Sequence, residues 1–110
     1  HGRLYVGPRV PIERFADAAA ELRTLHVELL RDGAVIDQGQ GSVVLDGPVD
    51  ALRQWVGAMQ AQPQHWPIRA GDVITTGTLT DAWPMAPGLR FSTRLSDPRL
   101  AGLTLECAPS

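Results

Sequence analysis

Lysine is absent from this chain of 110 residues; all ten basic side chains are arginine. A lysine Schiff base, a lysine of depressed pKa acting as general base and a P-loop phosphate site are therefore excluded from the segment. Cysteine is nearly absent as well. The single Cys107 leaves no disulfide framework and no thiolate metal site, which is compatible with a cytosolic, cytoplasmic location. No run of one charge sign occurs among the ten bases and twelve acids, and the formal net charge is only −2. That balance argues against nucleic acid or an anionic membrane as a partner and fits small-molecule chemistry better. No apolar run approaches membrane-spanning length, and the first residues lack the charged-then-apolar layout of a signal peptide. With 44% hydrophobic residues the chain can build one modest core, so one domain or part of one is expected. It begins at His1 instead of Met, which reads as a processed product or as part of something longer.

What is present is concentrated in Pro67-Ile68-Arg69-Ala70-Gly71-Asp72-Val73-Ile74-Thr75-Thr76-Gly77-Thr78. Ala70-Gly71-Asp72 has the composition of a tight turn and Val73-Ile74 is a β-branched pair. The segment reads as a turn, a buried strand and a strand end at Thr76-Gly77-Thr78. Glycine at such an end lets backbone approach a ligand, and two flanking hydroxyls can donate to a carboxylate, which makes an anion cradle. Threonine is equally a common strand residue and glycine a common strand end, so local physics leaves the purely structural reading open beside the functional one.

The stretch resembles the C-terminal motif of the fumarylacetoacetate hydrolase superfamily, a Gly-Asp-Val-Ile-x-Thr-Gly-Thr-like segment. Upstream, Gly39-Gln40-Gly41-Ser42-Val43-Val44-Leu45-Asp46-Gly47-Pro48-Val49-Asp50-Ala51-Leu52-Arg53-Gln54-Trp55 is similar to the Gly-x-Gly-x-x-x-Leu-Gly-His-Pro-x-x-Ala-x-x-Trp pattern. That pattern marks the branch of 2-keto-4-pentenoate hydratases and 4-oxalocrotonate decarboxylases. Leu22 to Gly33 resembles the branch's strand and turn, and Gly2-Arg3-Leu4-Tyr5-Val6-Gly7-Pro8 the segment after its active-site Asn-Ala-Ser. Two departures stand out: Asp46-Gly47 where Gly-His is usual, and Leu79-Thr80-Asp81-Ala82-Trp83-Pro84-Met85 in place of the hydratases' Leu-Gly-Pro-Met type. The second favours a decarboxylase-like member about as much as a hydratase.

The resemblance implies an α+β chain, mostly β, with a mixed β-roll and one main helix, and assigns residues 1–110 to the C-terminal portion of a single catalytic domain. It implies a divalent cation, Mg2+ or Mn2+, whose carboxylate ligands lie upstream of His1 together with the catalytic lysine and the Asn-Ala-Ser segment. By the same resemblance the activity is hydration or decarboxylation of 2-oxo acids from aromatic-ring degradation. No catalytic residue and no metal ligand is then expected in this segment, which alone would be inactive. Its expected share is the wall that grips the substrate carboxylate: Thr78 first, with Gly77 giving backbone access and Thr76 a supporting hydroxyl. Leu79 and Trp83 are expected on the apolar side of the pocket. A homo-oligomer is implied, and unpaired sheet edges would require one physically. The reading from a different class is a non-catalytic binding or structural half that completes its fold with another chain.

Along the chain, Leu4-Tyr5-Val6 reads as a short strand bounded by glycines and Pro8. Phe15 to Leu25 is rich in helix-forming alanine, while Leu25, Val27 and Leu29 alternate as in a strand; the likeness favours the strand. Asp32-Gly33 is the two-residue turn of a hairpin with 34–38. Gly39-Gln40-Gly41-Ser42 lacks the lysine and third glycine of a phosphate loop, so the glycine pair reads as a bulge or close backbone approach, here toward the active-site wall. Pro48 opens a helix whose Val49, Leu52, Val56 and Met59 form a stripe expected to pack on the sheet. His65-Trp66 reads as packing on a loop. Residues 89–95 and 103–107 read as strands separated by a turn at Asp97-Pro98. Glu13, Asp17 and Glu21 read as a solvated acidic face instead of a metal cluster.

Overall fold

The computed structural model describes residues 3–44, 47–62 and 68–109; His65-Trp66 and Asp46 lie outside them. A four-stranded sheet is built from β1 (His26–Arg31), β2 (Ala34–Gln40), β3 (Arg90–Leu95) and β4 (Thr104–Glu106) in the order β2-β1-β3-β4. Every ladder is antiparallel. Two α-helices accompany it, α1 (Ala18–Arg23) and the main helix α2 (Pro48–Gln60). The α+β class with one main helix is thus established. Strands and helices take comparable shares of the described residues, however, so the fold is not mostly β.

The β1–β2 hairpin turns where Asp-Gly chemistry predicts. Asp32 at φ 49° and Gly33 at φ 85° are both left-handed, the backbone a two-residue turn needs if its twist is to match the flanking strands. The ladder then slips once: Leu29 faces Asp37 but Leu30 faces Val35, so Ile36 is an extra residue and β2 carries a bulge. Such a bulge bends the strand and re-aims its neighbours' side chains. Sheet ends are locked by local bonds. Asp32 N–H donates to Arg90 O at 2.8 Å, and Ser96 exchanges bonds with His26 through both its N–H and its hydroxyl oxygen.

Helix α1 starts on a reciprocal cap, with Asp17 Oδ1 accepting from Ala20 N–H and Glu21 Oε2 accepting from Asp17 N–H at 2.8 Å. The alternation of Leu25 and Val27 predicted a strand and the alanines a helix, and the chain uses both in succession, meeting at Thr24. Pro48 stands at the first turn of α2, where its missing N–H costs nothing, and Asp50 in that turn binds Arg23 of α1 at 2.6 Å. Among the described elements α2 packs chiefly on α1, not on the sheet as its stripe suggested. Leu52, Val56 and Met59 are accordingly only half-buried.

The glycine pair is explained by close approach. A Cβ on Gly41 would overlap the Leu22 carbonyl at the end of α1, and one on Gly39 would overlap the Leu79 carbonyl. Two expected strands do not form. Leu4-Tyr5-Val6 and the stretch from Val73 to Thr78 join no ladder of the described sheet, and Val73 is exposed instead of buried. β-branched composition favours an extended, half-buried backbone, but a strand also needs a pairing partner, and neither segment pairs with the edge strands β2 and β4. Phe15, Leu25, Val27, Val44, Ala51 and Phe91 form the small core between α1, the start of α2 and the sheet.

Candidate functional site

The predicted Ala70-Gly71-Asp72 turn is present. Asp72 N–H donates to Arg69 O, Asp72 Oδ2 accepts from Arg69 N–H at 2.8 Å, and Gly71 takes φ 94°. From there the chain runs past α2. Val73 to Thr76, with Ala51, Leu52 and Trp55 of the helix, line a cleft of about 490 Å³. At Gly77 the backbone takes φ 123°, and a Cβ there would meet Val44 at 3.4 Å. Glycine is therefore required by conformation, and its close neighbour is a core valine.

Past Gly77 the chain opens on a second hollow of about 360 Å³, lined by Asp37, Gln38, Val43, Thr78, Leu79, Thr80 and Asp81. Thr76 and Thr78 thus lie on opposite sides of the Gly77 turn, Thr76 half-buried against the helical cleft and Thr78 exposed in the strand-side hollow. Leu79 lines the same hollow as Thr78. Trp83 is not one of its lining residues. Its indole N–H donates instead to Asp37 Oδ2 at 2.9 Å.

Asp37 was not singled out from the sequence. Its Oδ2 also accepts from Asp81 N–H at 3.0 Å, and its Oδ1 from Gln38 N–H at 2.8 Å. These bonds, the one from Trp83 foremost, hold its pKa below the usual aspartate value. A signal existed: aspartate is a poor residue for the middle of a strand, so one at that position asks for donors.

A second polar cluster, away from these hollows, joins the segment before β1 to the one after β3. Arg99 binds Asp97 at 2.6 Å and Glu21 at 2.9 Å, donates to Arg14 O at 2.8 Å, and lies 4.1 Å from the centre of the Phe15 ring. Its side-chain and backbone N–H groups pull the Asp97 pKa down to about 2. Glu21 is thus an ion-pair and capping group, not part of a solvated acidic face. Among the described residues no three His, Cys, Asp or Glu side chains stand together as a metal site would require. Nor is any described helix long and apolar enough to cross a membrane.

No family model matches the sequence. Curated relatives do. The chain is 35% identical over 77 residues to the 4-oxalocrotonate decarboxylase of Pseudomonas sp. (strain CF600), a match that takes in 70% of this chain and 28% of that enzyme. It is 34% identical over 74 residues to that of Pseudomonas putida, over 67% of this chain and 27% of the relative. In three dimensions it matches 4-oxalocrotonate decarboxylase from Pseudomonas putida G7, complexed with calcium and acetate, with a TM-score of 0.63 and 32% identity. The same enzyme complexed with magnesium and adipate matches equally well. Both structural matches cover 76% of this chain and 30% of the enzyme. The chain spans less than a third of the length of these relatives. Over that span its sequence and its fold agree on one relationship: the chain is a homologue of the 4-oxalocrotonate decarboxylases, in the hydratase and decarboxylase branch of the fumarylacetoacetate hydrolase superfamily.

Proposed function

We propose that this chain forms part of a divalent-metal-dependent decarboxylase acting on 2-oxo acids, and that it contributes the wall that grips the substrate carboxylate. The relationship to 4-oxalocrotonate decarboxylases, solved with calcium or magnesium and a carboxylic acid, is the observation that carries the reading. Decarboxylation is preferred to hydration because both curated relatives are decarboxylases. On this reading the chain is the C-terminal portion of the catalytic unit, its sheet is completed into a β-roll, and the assembly is a cytoplasmic homo-oligomer.

The described residues do not fit a metal centre, and the segment holds no lysine. Its share of the chemistry is binding and orientation. Thr78, exposed in the strand-side hollow, donates its hydroxyl to the substrate carboxylate. Gly77 lets the backbone come close without a side chain, and Thr76 supports the turn from its half-buried position. Leu79 supplies the apolar boundary. A carboxylate held in this way by neutral donors keeps its charge and its direction while the remainder of the 2-oxo acid projects from the wall.

The test is Thr78→Val in the complete protein, with oxalate as the probe in a calorimetric titration. Loss of one hydrogen bond to a charged group at an exposed position should weaken oxalate roughly tenfold. Thermal stability should change little, because Thr78 is exposed. Unchanged oxalate affinity would refute the binding role.

A further inference from the structure

We infer that Asp37 is the positioning residue for this wall: its carboxylate clamps the 78–83 segment to β2 and so fixes where Thr78 presents its hydroxyl. The inference rests on the binding role proposed for Thr78. Four observations lead to it, and none depends on the relatives.

First, Asp37 adjoins the β2 bulge, between the Leu29–Asp37 and Leu30–Val35 pairings. A bulge re-aims side chains, which accounts for a strand carboxylate reaching across to a separate loop. Second, a single oxygen of that carboxylate receives two donors from the loop, Asp81 N–H at 3.0 Å and Trp83 Nε1–H at 2.9 Å. One comes from the backbone and one from an indole, so both the path of the loop and the side chain at its far end are held. Third, Gly39, two residues along β2, meets the Leu79 carbonyl so closely that no Cβ could stand between them. The loop is therefore pinned at 79, at 81 and at 83. Fourth, Thr78 is the residue immediately before the first pin, and Asp37 and Thr78 line the same hollow.

Asp37 need not touch the substrate to matter. A hydroxyl that must meet a carboxylate within hydrogen-bond distance loses most of its value when displaced by 1 Å. Released from Asp37, the loop keeps the Gly39 contact but loses both bonds that set its direction beyond Leu79. Asn at position 37 preserves size while removing the charge and one acceptor oxygen. Phe at position 83 preserves the aromatic bulk while removing the indole donor.

The experiment uses Asp37→Asn, Trp83→Phe and Thr78→Val in the complete protein. Steady-state decarboxylation of 4-oxalocrotonate and the tryptophan indole N–H resonances are the readouts. The Trp83 resonance is assigned by its disappearance in Trp83→Phe. Asp37→Asn should shift the Trp83 indole resonance and raise KM on the order of five- to tenfold, more than it lowers kcat. Combined with Thr78→Val it should add little, because both changes disable the same hydroxyl. An unmoved indole resonance overturns the clamp. A shifted resonance with unchanged KM, or full additivity with Thr78→Val, overturns its positioning role and leaves a structural bond. Failure of the Thr78 reading is separable: Thr78→Val alone would then leave KM unchanged, and the positioning role would fall with it even if the resonance moves.

Discussion

Replacing Gly41 by alanine should destabilise the protein severely, while the same replacement at Gly57 should stabilise it. Gly41 is buried at the end of β2 and donates its N–H to Leu25 O at 2.8 Å. Its added Cβ would collide with the Leu22 carbonyl oxygen, 2.9 Å from the Leu22 carbonyl carbon and 3.1 Å from Arg23 O. All three atoms are backbone, so no side-chain rotation relieves the overlap. The last turn of α1 must withdraw from β2, and the Gly41–Leu25 bond stretches with it. Overpacking costs about 1–3 kcal/mol and a weakened buried hydrogen bond about 1 more. The smaller entropy of the unfolded chain returns roughly 0.4–1 kcal/mol, leaving a net loss of about 2 kcal/mol. Gly57 sits inside α2 with no heavy atom within 4 Å of a new Cβ, so alanine there should gain up to about 1 kcal/mol from helix propensity. Urea unfolding of the complete protein and of the two variants in parallel, followed by far-UV circular dichroism, measures both differences. A Gly41→Ala protein within about 0.5 kcal/mol of the parent would refute the close approach of β2 to α1.

Asp97 should titrate near pH 2 in a carboxyl-carbon NMR titration and return toward 3.8 in Arg99→Gln. Because its folded pKa is depressed, the stabilisation from the Asp97–Arg99 pair is complete above about pH 4 and is lost as the pH falls toward 2; an Asp97 midpoint unmoved by Arg99→Gln would contradict the pairing. Asp50→Ala should cost about 1 kcal/mol in urea unfolding, through the lost Arg23 bond and the lost favourable charge in the first turn of α2.

The elements legible in the sequence are those whose signals are local. Asp32-Gly33 fixes its own turn by positive φ, Pro48 with the apolar spacing after it announces α2, and the alternation in 89–95 and 103–107 yields β3 and β4 with only their ends trimmed. For the Gly39 and Gly41 pair a bulge and a close backbone approach were both open, and close approach is what the two positions show. Their partners, the Leu79 and Leu22 carbonyls, are remote in sequence and carried no signal. The same limit hid Asp37 and Arg99. Beside near neighbours, Gln38 for Asp37 and Asp97 for Arg99, each depends on partners more than forty residues away, and no spacing rule links them. Val73-Ile74 misled for the opposite reason: its composition states a local preference, while pairing depends on which edge the rest of the fold presents. The candidate site was legible as a motif and not as a geometry, since only the φ of Gly77 turns Thr76 and Thr78 toward different hollows.

The amount of surface left uncovered leads to a last prediction. A compact monomer of 11.9 kDa should expose about 6,000 Å², whereas this chain exposes 8207 Å². Its radius of gyration is 15.9 Å, against about 13 Å for a compact chain of this length. The excess is about 2,000 Å², more than one partner contributes to an ordinary protein interface. Much of it is apolar, from Leu4, Tyr5 and Val6 at one end to Trp55, Val73 and Ile74 around the helical cleft. Six small core contributions cannot offset the chain entropy of so many residues without further burial. The isolated 110-residue chain should therefore unfold at low urea concentration with a shallow slope, or self-associate on size-exclusion chromatography. A cooperative, monomeric unfolding transition worth more than about 5 kcal/mol would refute this, and with it the need for further polypeptide over the cleft. If the prediction holds, covering Trp55, Val73 and Ile74 converts an open cleft beside Thr76 into an enclosed one. The turn at Gly77 would then stand between a packed face and the strand-side hollow proposed to receive the substrate carboxylate, held from behind while Thr78 stays exposed.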